Sequence, residues 1–146
     1  MSNKEQAYHI PVLLHAATEG LQISENGVYV DVTFGGGGHT REILKHLGSA
    51  GRLLAFDQDS DAKTNAEKIK EPNFTFIADN FRNLQNALSS KGVFQVNGIL
   101  ADLGVSSHQF DDAERGFSLR YQGQLDMRMN REQTLSAYEI VNNYPE

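Results

Sequence analysis

Gly35 to Gly38 form an unbroken glycine run between the apolar stretch Val28-Tyr29-Val30-Asp31-Val32 and a charged segment of helical character. A linker does not fit that position, directly between a strand and a helix. Glycines there let the backbone approach a ligand closely, and the N–H groups that open a helix suit an anion. Three ligand chemistries are compatible in principle. A triphosphate loop needs Lys-Ser or Lys-Thr after the glycines, and the sequence lacks it. A dinucleotide fingerprint needs G-x-G-x-x-G; Gly35 and Gly37 fit, but the third place is Thr40. The third is S-adenosylmethionine (SAM), whose methionine end carries a carboxylate and an ammonium. Gly37, Gly38 and the following helix start suit the carboxylate, and Asp31 can meet the ammonium directly or through water. Asp57 lies where an acid accepts hydrogen bonds from ribose hydroxyls, which fits NAD and SAM equally. Asp31 separates the two, because an acid beside the loop repels a pyrophosphate.

These residues need a scaffold that brings them together, and the hydrophobic pattern supplies one. Val28 to Val32, Arg52 to Phe56, Phe74 to Ala78 and Gly98 to Asp102 read as strands. Gly38 to Leu47, Ser60 to Lys70 with Ser60 as its cap, and Asn80 to Ser90 with Asn80 as its cap read as the intervening helices. Ile10 to Leu21 is a further helix with Pro11 near its start. Such alternation predicts an α/β fold: a Rossmann-like parallel sheet with right-handed crossovers and helices on both faces. Ligands of such sheets bind beyond the strands' carboxyl ends. Those ends carry Asp31 with the glycines, Asp57, Asp79-Asn80 and Asp102. One Asp at a strand end is an ordinary turn residue; acids at all the ends on one rim predict a site.

Beyond Leu103 the periodicity breaks. Gly104 to Asn130 reads as a long loop, the kind usually kept for function, and Thr134 to Asn143 reads as a helix. The sheet pattern stops early for a doubly wound domain, which predicts the N-terminal part of a longer protein. Apolar residues make up 39% and charged residues 22%, a globular composition. No apolar run approaches the ~20 residues of a membrane span, and Met1 to Ile10 lacks a signal core, so a cytoplasmic protein is expected. The absence of cysteine excludes disulfides, thiolate metal sites and a cysteine nucleophile within these 146 residues. No metal site is predicted. A net charge of −6 argues against nucleic acid, since phosphate contacts need cations.

The segments HIPVLL (His9 to Leu14), YVDVTFGGGGHT (Tyr29 to Thr40), GRLLAFDQD (Gly51 to Asp59), NGILADLGVSS (Asn97 to Ser107), DDAERGFS (Asp111 to Ser118) and LDMRMN (Leu125 to Asn130) occur in this order along nearly the whole chain. With them the chain resembles the bacterial ribosomal RNA small subunit methyltransferase H (MraW) family, which methylates N4 of a cytidine in 16S rRNA. LGVSS, ERGFS and LDMRM are the specific segments. The resemblance implies a class I SAM-dependent methyltransferase fold, here incomplete, with an inserted helical domain after the fourth strand. Residues 1–110 are then the first part of the SAM-binding domain. Residues 111–146 are a loop and the start of the accessory, substrate-recognition domain. Cofactor contacts fall on Gly37, Gly38, His39, Asp57, Phe81, Asp102 and Gln109. Phe81, which would lie against the adenine, and Gln109 follow from the resemblance alone. The sequence departs from the family pattern at Gly36, where Arg is common, and at His108 and Gln124, where Pro is common.

The implied reaction is methyl transfer to the exocyclic N4 of cytosine, whose lone pair is delocalised into the ring. An acceptor for the N4 hydrogens localises it, and Asp102 is placed either for that or only to hold the cofactor. N4 chemistry needs no nucleophile, unlike C5 methylation by a thiolate. The expected partner is 16S rRNA within the small ribosomal subunit, with no membrane; the oligomeric state stays open, a dimer included. Phe110, Phe117 and Tyr121 are candidates to stack on a flipped base. Arg115, Arg120, Arg128 and Arg131 are candidates for phosphate, or for pairing with nearby acids, as Arg115 with Asp111 or Asp112. The competing readings are a dinucleotide-dependent oxidoreductase and a fragment without activity of its own.

Overall fold

The computed structural model describes residues 11–145. Strands β1 (Val28–Asp31), β2 (Arg52–Phe56), β3 (Phe74–Ile77) and β4 (Gly98–Leu100) form one parallel sheet in the order β3-β2-β1-β4. β1 is central, with Val30 paired to Leu54 on one side and Ile99 on the other. The helices are α1 (Leu14–Gly20), α2 (Gly38–His46), α3 (Ser60–Ala66), α4 (Leu84–Ser90), α5 (Ser107–Asp111) and α6 (Ala137–Asn143). Single 3₁₀ turns occur at Phe81–Asn83 and Ala113–Arg115.

Alternation along the strands divides the core into two layers. Tyr29, Leu53, Ala55 and Leu100 pack with Ile43 and Leu44 of α2 and Ala62 and Ala66 of α3, flanked by Ala17 of α1. Val30, Leu54 and Phe56 pack on the opposite face with Leu88 of α4 and with Val93. The expected two-faced α/β sheet is therefore present. Most of these helices are only two turns long, and such helices are marginal alone. Burying a Leu or Phe contributes about 1.5–3 kcal/mol against about 1 kcal/mol for a helix cap. Leu53, Leu54 and Phe56 are essentially inaccessible, so core packing fixes the helices onto the sheet.

Several boundaries differ from the sequence reading. Of the helix expected over Ile10 to Leu21, Ile10 lies outside the described residues, and α1 begins only after Leu13, whose φ of 56° is left-handed. The cap of α3 is Asp59, which accepts the Asp61 N–H at 3.1 Å; Ser60 is already in the helix, which ends before Lys70. Asn80 does cap, accepting the Arg82 N–H at 2.9 Å, but it caps a 3₁₀ turn that precedes α4. β4 ends at Leu100, so Asp102 stands beyond the strand. The segment read as a loop contains α5, capped by a reciprocal Ser106–Gln109 box. α6 starts after Ser136, which forms the same box with Glu139. Within this arm Asp126 accepts from Arg128 Nε at 2.8 Å and Nη2 at 2.7 Å. Those bonds hold its carboxyl down at about 2. No helix of the described residues is long and apolar enough to cross a membrane.

Candidate functional site

A cleft of about 420 Å³ opens beyond the carboxyl ends of the strands, within the ~300–1,000 Å³ usual for small-molecule sites. Its floor is the loop after β1. Gly37 adopts φ 79°, and its N–H donates to Phe34 O at 2.7 Å. α2 starts at once, and its first internal bond is from Arg41 N–H to Gly37 O at 2.9 Å. The N–H groups of Gly38 and His39 precede that bond, as at any helix start. Gly35, Gly36, Gly38 and His39 line the cleft, whereas Gly37 is buried behind it.

A side chain at Gly37 is excluded twice. Its φ is unfavourable for L-residues, and a Cβ would stand 2.8 Å from Phe34 Cζ. Gly92 is a natural control, since its φ is 69° and a Cβ there would meet nothing within 4 Å. Gly92→Ala is expected to cost about 1 kcal/mol of stability from backbone strain alone. Gly37→Ala should cost about 2–4 kcal/mol, because displacement of Phe34 adds to the strain. Urea unfolding of both variants measures the difference; equal losses would mean that Phe34 yields freely.

Asp31 differs from expectation. It is fully buried and is absent from the cleft wall. Its Oδ1 accepts the Thr33 N–H at 3.0 Å and its Oδ2 accepts the Thr40 hydroxyl at 2.8 Å. Burial pushes its carboxyl up, against these bonds and nearby His39, which lower it. Asp31 therefore braces the loop from beneath, and direct contact with an ammonium is not its arrangement. Thr33 passes the brace on: its Oγ1 accepts the Asp102 N–H at 2.7 Å. The side chain of Asp102 is free to face the cleft, 58% exposed. His39 is 5% exposed. Its Nδ1 lies 3.9 Å from Asp102 Oδ2, and its buried Nε2 has no protein partner.

Asp57 does line the cleft. Its Oδ2 accepts the Gly35 N–H at 2.8 Å and its Oδ1 the Asp59 N–H at 2.9 Å. Burial raises its carboxyl above the usual range despite these bonds. The same residue thus ties the tip of β2 to the glycine loop, and each oxygen keeps a lone pair for a ligand hydroxyl. Phe81 stands at the rim, 45% exposed. It is therefore not a core aromatic. Gln109 touches the cleft but is buried, with Nε2 donating to Asp59 Oδ2 at 2.9 Å and Oε1 accepting the Ser106 N–H at 3.0 Å. Both ends of its amide serve the protein.

Asp59, which sequence reasoning passed over, completes the wall, and Arg115 holds it from behind. Asp59 and Arg115 form a buried ion pair at 2.7 Å. Burial pushes the Asp59 carboxyl up, but bonds from Arg115, the Asp61 N–H and Gln109 more than offset this and keep it below the usual range. The pairing of Arg115 with Asp111 or Asp112 is therefore corrected. The available signal was the alternation of acids in Asp57-Gln58-Asp59-Ser60-Asp61. Of the other arginines, Arg128 pairs with Asp126 and Arg131 with Glu114 at 3.6 Å. Arg120 is exposed, and among the described residues no carboxylate pairs with it. Phe110 and Tyr121 are exposed, while the Phe117 ring lies 6.0 Å from the Arg115 guanidinium.

Asp57, Asp59, Asp61, Asp79 and Asp102 all line the cleft, and no Lys or Arg of the described residues does. Arg115 balances Asp59 and Asp61 from behind the wall, which leaves Asp57, Asp79 and Asp102 to repel a pyrophosphate. A ligand carrying cationic groups beside one carboxylate would find acids around it and a helix start for its anion.

The sequence model of the MraW methylase family matches residues 6–146. The chain is 58% identical over 146 residues to the ribosomal RNA small subunit methyltransferase H of Bacteroides thetaiotaomicron, covering all of this chain and 47% of that protein. It is 57% identical over 145 residues to the protein of that name in Parabacteroides distasonis, covering 99% of this chain and 47% of that one. For Cytophaga hutchinsonii the identity is 58% over 139 residues, with 95% and 46% covered. The chain spans about half the length of the curated relatives it matches.

Proposed function

The chain belongs to the MraW methylase family, and from that premise we propose that it forms the SAM-binding part of an enzyme that methylates N4 of a cytidine in 16S rRNA. The acceptor is the small ribosomal subunit, and the name carried by the relatives supports that substrate. Residues 1–110 contribute to the cofactor domain, and 111–146 to the loop and the start of the substrate-recognition domain.

One observation carries the cofactor assignment: a wall of aspartates without Lys or Arg, set against a glycine loop that opens a helix. That combination suits a sulfonium and an ammonium with a carboxylate, and it disfavours the pyrophosphate of a dinucleotide. In this reading Gly38 and His39 hold the methionine end, Asp57 the ribose and Phe81 the adenine face. Gly37 and Asp31 shape the loop, and Gln109 fixes the wall. SAM bound there supplies an electrophilic methyl group. Asp102 accepts a hydrogen bond from the N4 amine, drawing the nitrogen lone pair out of conjugation with the ring. No covalent adduct is needed. Phe110 or Tyr121 stacks on the extruded base, and Arg120 meets phosphate.

Calorimetry on the full-length protein with SAM and with NAD, paired with mass spectrometry of 16S rRNA from cells lacking the protein, tests this. SAM binding and the loss of one N4-methylcytidine are expected. NAD binding without SAM binding would overturn the proposal.

A further inference from the structure

Arg115 is the largest fully buried side chain of the described residues, and it does not line the cleft. Its Nη2 donates to Asp59 Oδ2 at 2.7 Å and to the carbonyls of Arg128 at 3.1 Å and Met129 at 3.2 Å. Its Nη1 donates to Asp61 Oδ2 at 3.3 Å. Its own carbonyl accepts the Met127 N–H at 2.9 Å. One guanidinium thus joins the start of α3 to the 127–129 stretch of the arm, and Met129 reaches the cleft wall.

The connection continues inward. Asp59 donates its N–H to Asp57 Oδ1, and Asp57 Oδ2 holds the Gly35 N–H of the glycine loop. The ribose contact proposed above and the anchor of the arm are therefore two residues apart, in one hydrogen-bonded series. Only a planar, multi-donor cation spans these acceptors; an ammonium is a point charge on a flexible stem and cannot serve both carboxylates and both carbonyls together.

We propose that Arg115 is a positioning residue that fixes the 127–129 stretch as the acceptor-facing wall of the cleft and couples the arm to cofactor occupancy. The proposal rests on the assignment of SAM to this cleft. It makes Arg115 no part of the reacting groups; it acts through Asp59 and the Arg128 and Met129 carbonyls. Its position within the ERGFS segment is then explained by the arm's anchorage rather than by contact with RNA phosphate.

The test uses the full-length protein and the Arg115→Lys variant, with SAM as the probe. In the native protein, saturating SAM should slow tryptic cleavage after exposed Arg120 at least threefold. In Arg115→Lys that protection should vanish. Methyl transfer to small subunits should fall at least tenfold in kcat, with SAM affinity changed no more than about threefold. A double variant, Arg115→Met with Asp59→Asn, removes the buried charge from both partners. It should recover the thermal stability lost by Arg115→Met alone without recovering kcat. Undiminished protection and kcat in Arg115→Lys, or recovery of kcat in the double variant, would overturn the positioning role while leaving the SAM assignment intact. Failure of the native protein to bind SAM would sink both.

Discussion

Asp102→Ala is expected to lower methyl transfer about 100-fold in kcat while SAM affinity changes by less than about fivefold. The expectation follows from how the residue is held. Its backbone N–H is fixed by Thr33 Oγ1, and Thr33 is fixed by buried Asp31. Its carboxylate is left largely solvent-facing at the cleft. A side chain placed accurately yet not consumed by the protein can act on a group that arrives later. Removing one such preorganised partner of a developing charge typically costs a factor of about 10²–10³. Asp102→Asn should fall between, because an amide oxygen still accepts a hydrogen bond but without charge. Single-turnover kinetics with saturating SAM isolates the step. If the alanine variant instead loses SAM binding and keeps its turnover at saturation, Asp102 holds the cofactor and does not touch the amine.

Asp57→Ala should weaken SAM binding by a factor of roughly 10–150, the equivalent of about 1.5–3 kcal/mol for hydrogen bonds to a charged acceptor. Two effects contribute, and they can be told apart. The ribose loses its acceptor, and the Gly35 and Asp59 N–H groups lose theirs. A SAM analogue lacking the ribose hydroxyls separates them. The native protein should bind this analogue much more weakly than SAM, whereas Asp57→Ala should bind the two alike. Equal losses in both proteins would assign Asp57 to the loop alone.

The elements most legible in the sequence were those whose signal is local. β2 coincides with its expected span because four of its successive residues, Leu53 to Phe56, are fixed by burial and Asp57 follows them. The glycine loop, the rim of acids and the cap at Asn80 depend on neighbours a few residues away. What stayed hidden depends on contacts distant in sequence. Arg115 lies among Asp111, Asp112 and Glu114, which offer it local partners in the sequence. The fold instead brings it to Asp59, 56 residues away. Asp31 misled for a related reason. Its place beside the glycines suggested a ligand contact, but the first turn of α2 brings the Thr40 hydroxyl over it. The acidic character that Asp31 was expected to lend the site is supplied instead by aspartates at the other strand ends. Short α5 was missed because five residues carry no period.

The strand order also governs how the domain can form as it leaves the ribosome. β1 is the centre of the sheet, and its first partner follows closely in the chain. Its second partner, β4, ends 44 residues after β2 does. At ~5–20 residues per second, the free side of β1 waits about 2–9 s for that strand to be synthesised. Throughout that interval Val30 and its backbone donors present an open apolar edge, the kind that recruits strands from other chains. Each nascent chain therefore passes through a stage in which one side of β1 has no partner strand within the sheet.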